Sequence, residues 1–238
     1  MVGVDRQKLG AWIQPQHLEG AALEQYRQSF ISHPARLVVI RNFLQPQIAE
    51  RLSRFLSSEA EFKSEHGLYS IEGAVKEEDW LRASEDDRLF KLGKLVGTPP
   101  QFQTSPNAMT YLRFRMTFQR PELKAFFEAI SAMSLGASDD FGAHSMTEDD
   151  LLRPHSDDNR NRQLALVIYL SPGWKPENGG QLRVTHLDGQ TTIVEAEYNS
   201  MIAFNVLTHS AHVVEPVRSN GDAGKRRLTI GGWYHRVS

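Results

Sequence analysis

From Asp140 to the C-terminus the sequence breaks into short β-prone runs separated by turn signals. The runs fall at residues 151–155, 163–170, 181–186, 191–194, 200–205, 212–217 and 227–235. Pro172-Gly173, Asn178-Gly179-Gly180, Asp188-Gly189 and Asn220-Gly221 punctuate them. Asp-Gly between two such runs is a strong hairpin signal, because that turn type needs positive φ. Many short strands at this spacing predict a mostly β fold, a jelly-roll barrel or a sandwich, and not a doubly wound parallel sheet. Gly231-Gly232 inside the last run predicts a bulge or a close approach of backbones.

The first part of the chain reads differently. A helix is expected near residues 21–30, then a strand at 36–43 rich in β-branched residues. Pro46 suits a first helical turn, and Ile48, Leu52, Phe55 and Leu56 put one apolar stripe on a helix at 46–58. Ser105-Pro106 looks like a helix start, although Leu112, Phe114, Met116 and Phe118 alternate like a strand; a helix is expected. Pro121 opens a further helix with Leu123, Phe126, Phe127, Ile130 and Met133 on one face. Residues 59–100 are charge-rich around Trp80, Leu81, Leu89 and Phe90. They read either as a solvated face over a satellite apolar cluster or as a mobile cover over a substrate pocket. The expectation is one domain: 1–139 a mainly helical buttress with a candidate lid, and 140–238 the jelly-roll core.

Composition removes several function classes. At 238 residues the chain can bury a real core. With 24% charged residues and a net charge of −2 it has no global basic footprint, so no nucleic-acid partner is expected. The absence of cysteine excludes disulfides, thiolate metal sites and a cysteine nucleophile, leaving His, Asp and Glu as candidate ligands. Charged residues Asp5, Arg6, Lys8, Glu19 and Glu24 interrupt the N-terminal region, and no apolar run suits a signal peptide or a membrane span. A cytoplasmic protein without a membrane partner is expected.

The chemistry points to the head of the longest apolar run. His155 and Asp157 lie two apart, and side chains on extended backbone repeat with period two, so both can face one point. Alone, the pair is either a metal grip or a solvated strand-end turn. His212, expected to lead into a later strand with His209 in the loop before it, is a candidate second imidazole. Two histidines and one carboxylate form a facial triad that leaves metal positions open, as in non-haem Fe(II) oxygenases, whereas a closed structural zinc site would use four protein ligands. Arg227 heads an otherwise apolar strand and needs an anionic partner, either a structural carboxylate or a bound one; Arg226 is expected to be solvated.

His155-x-Asp157, His212-x-Val-x-Pro216, Arg227-x-Thr229 and Trp233, in that order, resemble the Fe(II)- and 2-oxoglutarate-dependent oxygenases. Within them the chain resembles the prolyl-4-hydroxylase group and is similar to the catalytic domain of the ribosomal-protein prolyl hydroxylases. HSDDNRNRQLALVIYLSPGWKPENGGQL, RRLTIGGWYH and VVIRNFLQPQIAERL carry the likeness, which spans from about Leu37 to the end. The resemblance implies a double-stranded β-helix that binds Fe(II), 2-oxoglutarate and O₂, with ascorbate a candidate reductant. It implies hydroxylation of a C–H bond, coupled to decarboxylation of 2-oxoglutarate to succinate. It also implies His155, Asp157 and His212 as iron ligands, and Arg227 on the distal carboxylate of 2-oxoglutarate. Thr229 and Tyr169 would stand beside that carboxylate, and Leu182 would form an apolar wall. The family usually carries a tyrosine nine or ten residues before the first ligand; Ser145 and Met146 stand there, next to His144. The ribosomal enzymes also have a second, non-catalytic barrel, for which no room is expected after the first, so recognition of a protein substrate does not transfer directly. The expected substrate is a prolyl or proline-like unit in a protein or peptide. Alternatives are a small amino-acid-derived metabolite or, more remotely, a non-catalytic metal-binding jelly roll. The oligomeric state is open.

Overall fold

The computed structural model describes residues 4–137, 139–158, 161–218, 222 and 224–237. In chain order these form α1 (Arg6–Leu9), α2 (Gly20–Ser32), β1 (Leu37–Ile40), α3 (Pro46–Arg54), β2 (Glu61–Leu68), β3 (Ile71–Val75) and α4 (Glu77–Arg82). Next come β4 (Arg88–Gly97), α5 (Pro106–Phe118), α6 (Pro121–Ser131), β5 (Phe141–Met146), β6 (Leu151–His155) and β7 (Arg162–Tyr169). β8 (Leu182–His186), β9 (Thr191–Val194), β10 (Met201–Asn205), β11 (His209–Val214) and β12 (Arg227–His235) complete the fold. The Asn220-Gly221 turn lies outside the described residues.

Strand order is β1-β10-β7-β12-β5-β4-β6-β11-β8-β9, with β2 on β4 and β3 on β2. Every pairing among the described residues is antiparallel. β4 bonds to β5 at Gly93 and Lys94 and to β6 at Phe90 and Lys91, so it stitches two curved halves into a nearly closed barrel. This is the expected double-stranded β-helix with flanking helices.

Period two sorts the side chains of the barrel. On β7, Leu164, Leu166 and Ile168 pack outward in the cluster shared with the helices, while Ala165 and Tyr169 face the interior cluster. On β12, Leu228, Ile230 and Tyr234 pack outward, so Arg227, Thr229 and Trp233 necessarily point inward. Covering both faces explains why β7 reads as an unbroken apolar run. α3, α5 and α6 place Leu52, Phe114, Phe118, Phe126, Phe127 and Ile130 under the outer face, each contributing about 1.5–3 kcal/mol by burial. The two glycines of β12 sit where strands nearly touch. A Cβ on Gly231 would lie 2.4 Å from the Leu166 carbonyl oxygen, and one on Gly232 would lie 2.3 Å from that of Asp140.

Residues 59–100 and 105–118 are the two stretches whose sequence patterns read two ways. Residues 59–100 are largely strand: β2, β3 and β4 extend the sheet itself, and α4 and a short 3-10 turn at Glu85–Asp87 lie between β3 and β4. Trp80 does not face the pocket; it is buried against His66, 5.3 Å between ring centroids, with the Arg88 guanidinium 4.4 Å above its ring. α5 is the expected helix, capped by Ser105 Oγ accepting from Ala108 N at 3.0 Å. Its strand-like alternation is incidental, because Tyr111, Phe114 and Phe118 are buried at helical spacing while Leu112 and Met116 are exposed.

Candidate active site

His155 ends β6 and His212 lies opposite it on β11, as direct cross-strand partners. Their rings are 4.2 Å apart. Asp157 follows β6 by two residues and turns its carboxylate between them: Oδ1 is 3.8 Å from His155 Nε2, and Oδ2 is 3.3 Å from His212 Nε2. The ligand atoms of all three lie within 4.8 Å of one another, in the one such group found among the described residues.

The remaining ring atoms are also committed. His155 Nδ1 faces the Arg153 carbonyl at 2.8 Å, so Nδ1 carries the proton and Nε2 keeps its lone pair. Burial, then the neighbouring His212, pushes the His155 imidazole down to about 4, so it stands neutral as a ligand must. Burial alone would raise the Asp157 carboxyl. Hydrogen bonding and charge from His212, with His155 and the Trp233 indole, outweigh it and hold the group below the usual carboxylate range. Trp233 Nε1 donates to Asp157 Oδ2 at 2.9 Å, and Arg162 Nη1 reaches Oδ1 at 3.4 Å. Arg162 lies flat on the Trp233 ring, 3.5 Å to the centroid, and its Nε donates to Asp140 at 2.8 Å.

A cavity of about 740 Å³ opens from this cluster into the barrel, and His155, Asp157, His212, Tyr169, Leu182, Arg227 and Thr229 all line it. Thr229 and Tyr169 are cross-strand partners, with Arg227 two residues along on the same face. Arg227 is 5% exposed. Its Nε donates to the Gly180 carbonyl at 2.7 Å, its Nη1 lies 3.9 Å from Met146 Sδ, and its guanidinium is 5.1 Å from the Tyr169 ring centre. Gly180, at φ +69°, brings that carbonyl close; a Cβ there would meet Arg227 Cδ at 2.7 Å. Among the described residues no carboxylate pairs with Arg227, and the buried Tyr169 hydroxyl makes no well-formed hydrogen bond, only a loose approach to the Arg227 guanidinium. A buried cation and a buried phenol facing one cavity are an unfinished anion site, since a buried charge needs a partner.

The sequence placed these residues but missed others. Arg162 and Asp140, which steady Asp157 and Trp233, gave no signal: they are 22 residues apart and carry no motif. His209 is not in a loop. It is the first residue of β11 and is buried beside His212. Where the family usually has tyrosine, Met146 and His144 line the cavity while Ser145 does not. Burial pushes the His144 imidazole down to about 4. Phe90 and the β2–β3 hairpin, through Leu68, Tyr69, Ile71 and Glu72, form the outer wall.

Residues 141–235 match the family model of the 2OG-Fe(II) oxygenase superfamily. Over those residues the chain is similar to the 2OG-Fe(II) oxygenases. Among curated relatives, a prolyl 3-hydroxylase OGFOD1 of Xenopus laevis is 37% identical over 95 residues, 37% of this chain and 18% of the relative. A prolyl 3,4-dihydroxylase OGFOD1 of Ostreococcus tauri is 27% identical over 141 residues, 54% of this chain and 27% of the relative. The chain thus spans about a quarter or less of the length of these relatives. Among solved structures, a Pseudomonas putida prolyl-4-hydroxylase superposes with a TM-score of 0.56 at 19% identity, covering 91% of this chain and all of that one. The oxygenase family uses Fe(II), 2-oxoglutarate and O₂. The donor set fits: two imidazoles and a carboxylate suit Fe(II), and three protein ligands would leave room for a chelating cosubstrate. No helix among the described residues is long and apolar enough to cross a membrane.

Proposed function

We propose that the chain, acting as one oxygenase domain, is an Fe(II)- and 2-oxoglutarate-dependent hydroxylase of a prolyl residue in a protein or peptide. The observation that carries this is the pairing, in one cavity, of the His155–Asp157–His212 cluster with the buried Arg227 that lacks a carboxylate partner. His155 and His212 offer Nε2, and Asp157 supplies the single anionic ligand. Arg227 and the Tyr169 hydroxyl receive the distal carboxylate of 2-oxoglutarate, with Thr229 beside them and Leu182 against its carbon chain. Bound Fe(II) supplies the oxygen-activating redox chemistry. The net reaction balances: C–H, O₂ and 2-oxoglutarate give C–OH, succinate and CO₂. The protein orients the substrate carbon and keeps water out of a cavity walled by Phe90, Leu182, Phe204 and Val214.

The prolyl assignment is supported by the prolyl hydroxylases among the relatives. Proline-containing peptides and free amino acids incubated with Fe(II) and 2-oxoglutarate test it. The expected result is a mass gain of one oxygen atom on a prolyl residue. Hydroxylation of an unrelated metabolite with no gain on any proline-containing target would defeat the prolyl assignment and leave the oxygenase.

A further inference from the structure

β11 contains one more residue than its neighbour. His209 pairs with His186 and Ala211 with Thr185, so two steps on β11 match one on β8. Side chains three apart on a regular strand face opposite sides; an extra residue brings them to the same side. His209 and His212 therefore both turn into the barrel. His209 Nε2 lies 3.0 Å from His212 Nδ1, and His209 Nδ1 lies 3.1 Å from the Asn205 carbonyl. Both rings are 5% exposed. Phe204 stands edge-on to each, at 5.5 Å and 5.2 Å.

The direction of this chain is fixed from its end. A carbonyl only accepts, so His209 Nδ1 donates to Asn205. That leaves Nε2 of a neutral His209 as the acceptor for an Nδ1–H of His212, 3.0 Å away. With a metal on Nε2, His212 would carry its proton on Nδ1, where His209 accepts it; without one, an Nε2–H can face Asp157 Oδ2 at 3.3 Å.

We infer that His209 is the positioning residue of the metal centre, holding His212 in the tautomer and ring orientation that present Nε2 to the metal. It does not bind the metal, because its own Nε2 is used. This rests on the reading of His212 as a ligand and goes beyond it by assigning a role to His209. Partners that orient a ligating imidazole typically change metal affinity by about 10–100-fold when removed.

Anaerobic Fe(II) titration of the whole chain tests the inference. His209→Ala should weaken Fe(II) binding about 10–100-fold. His209→Gln, whose amide oxygen can accept the same proton, should recover most of the loss. Nitrogen NMR of the Zn(II)-loaded wild type should show His212 protonated at Nδ1 and hydrogen-bonded, a signature absent from His209→Ala and independent of activity. Thermal unfolding separates loss of positioning from loss of fold. Should His209→Ala fail to fold, the NMR tautomer and the His209→Gln affinity decide alone. Unchanged Fe(II) affinity in His209→Ala, a Gln variant as weak as the Ala one, or His212 protonated at Nε2 overturns the inference. Unchanged affinity in His212→Ala would instead sink the ligand assignment beneath it.

Discussion

Arg227→Ala removes a buried cation that lines the cavity while leaving His155, Asp157 and His212 in place. The guanidinium has five N–H donors. One goes to the Gly180 carbonyl and one points at Met146 Sδ, so three remain for a ligand. A carboxylate bound there would be buried and fork-paired, and deleting one partner of a buried charge pair costs about 3–5 kcal/mol. At about 1.4 kcal/mol per tenfold, the dissociation constant for 2-oxoglutarate should rise about 10²–10³-fold or slightly more. Tyr169→Phe removes one hydrogen bond worth about 0.5–1.5 kcal/mol and should cost roughly 2- to 12-fold. The double variant should lose less than the product of the two, because both groups share one carboxylate. Arg226→Ala, on the exposed neighbour, serves as control and should change little. The assay is 2-oxoglutarate titration of metal-loaded, oxygen-free protein, with Fe(II) affinity measured in parallel. An Arg227→Ala protein that keeps its 2-oxoglutarate affinity, or loses Fe(II) to the same degree, refutes the assignment.

Two further outcomes follow from packing and protonation. Gly231→Ala places a Cβ 2.4 Å from the Leu166 carbonyl oxygen, and overpacking of about 1–3 kcal/mol should lower the unfolding midpoint by roughly 2–12 °C in calorimetry; an unchanged midpoint would show that the strands can part freely. Burial pushes both His144 and His155 down to about 4 from an ordinary 6.5. Between those values the unfolded chain binds more protons than the folded one, so stability present above pH 6.5 is lost as pH falls towards 4. The unfolding midpoint of metal-free protein should decline through that window, and His144→Gln should flatten the slope; a level midpoint down to pH 4 contradicts the burial argument.

The strands of the barrel were legible because burial of one or both faces writes period two or an apolar run into the sequence, and turns such as Asp188-Gly189 mark their ends. The helices α3 and α6 were legible for the same reason at period 3.6. β2 and β3 were not. Many of their residues face solvent or the cavity, as in Glu61, Lys63, Glu65 and Glu72, so no alternation survives. The His155–Asp157–His212 cluster and Arg227 were legible as types at a spacing, and the fold adds that no carboxylate among the described residues pairs with Arg227. His209 was misplaced because an extra residue in β11 moves the strand boundary and reverses the facing of its side chain, which no local pattern announces. Arg162 and Asp140 meet only in space.

The measurement that bears most directly on the account is anaerobic addition of 2-oxoglutarate to Fe(II)-loaded protein, followed by the visible charge-transfer absorption that arises when the keto acid chelates iron. Wild type should develop the band at one 2-oxoglutarate per chain. Asp157→Ala, stripped of the only anionic ligand, should not, and Arg227→Ala should need 2-oxoglutarate about 10²–10³-fold higher. A wild-type protein that binds Fe(II) yet develops no band at any 2-oxoglutarate concentration, or an Asp157→Ala protein that develops it undiminished, would contradict the reading of this cavity as an oxygenase site.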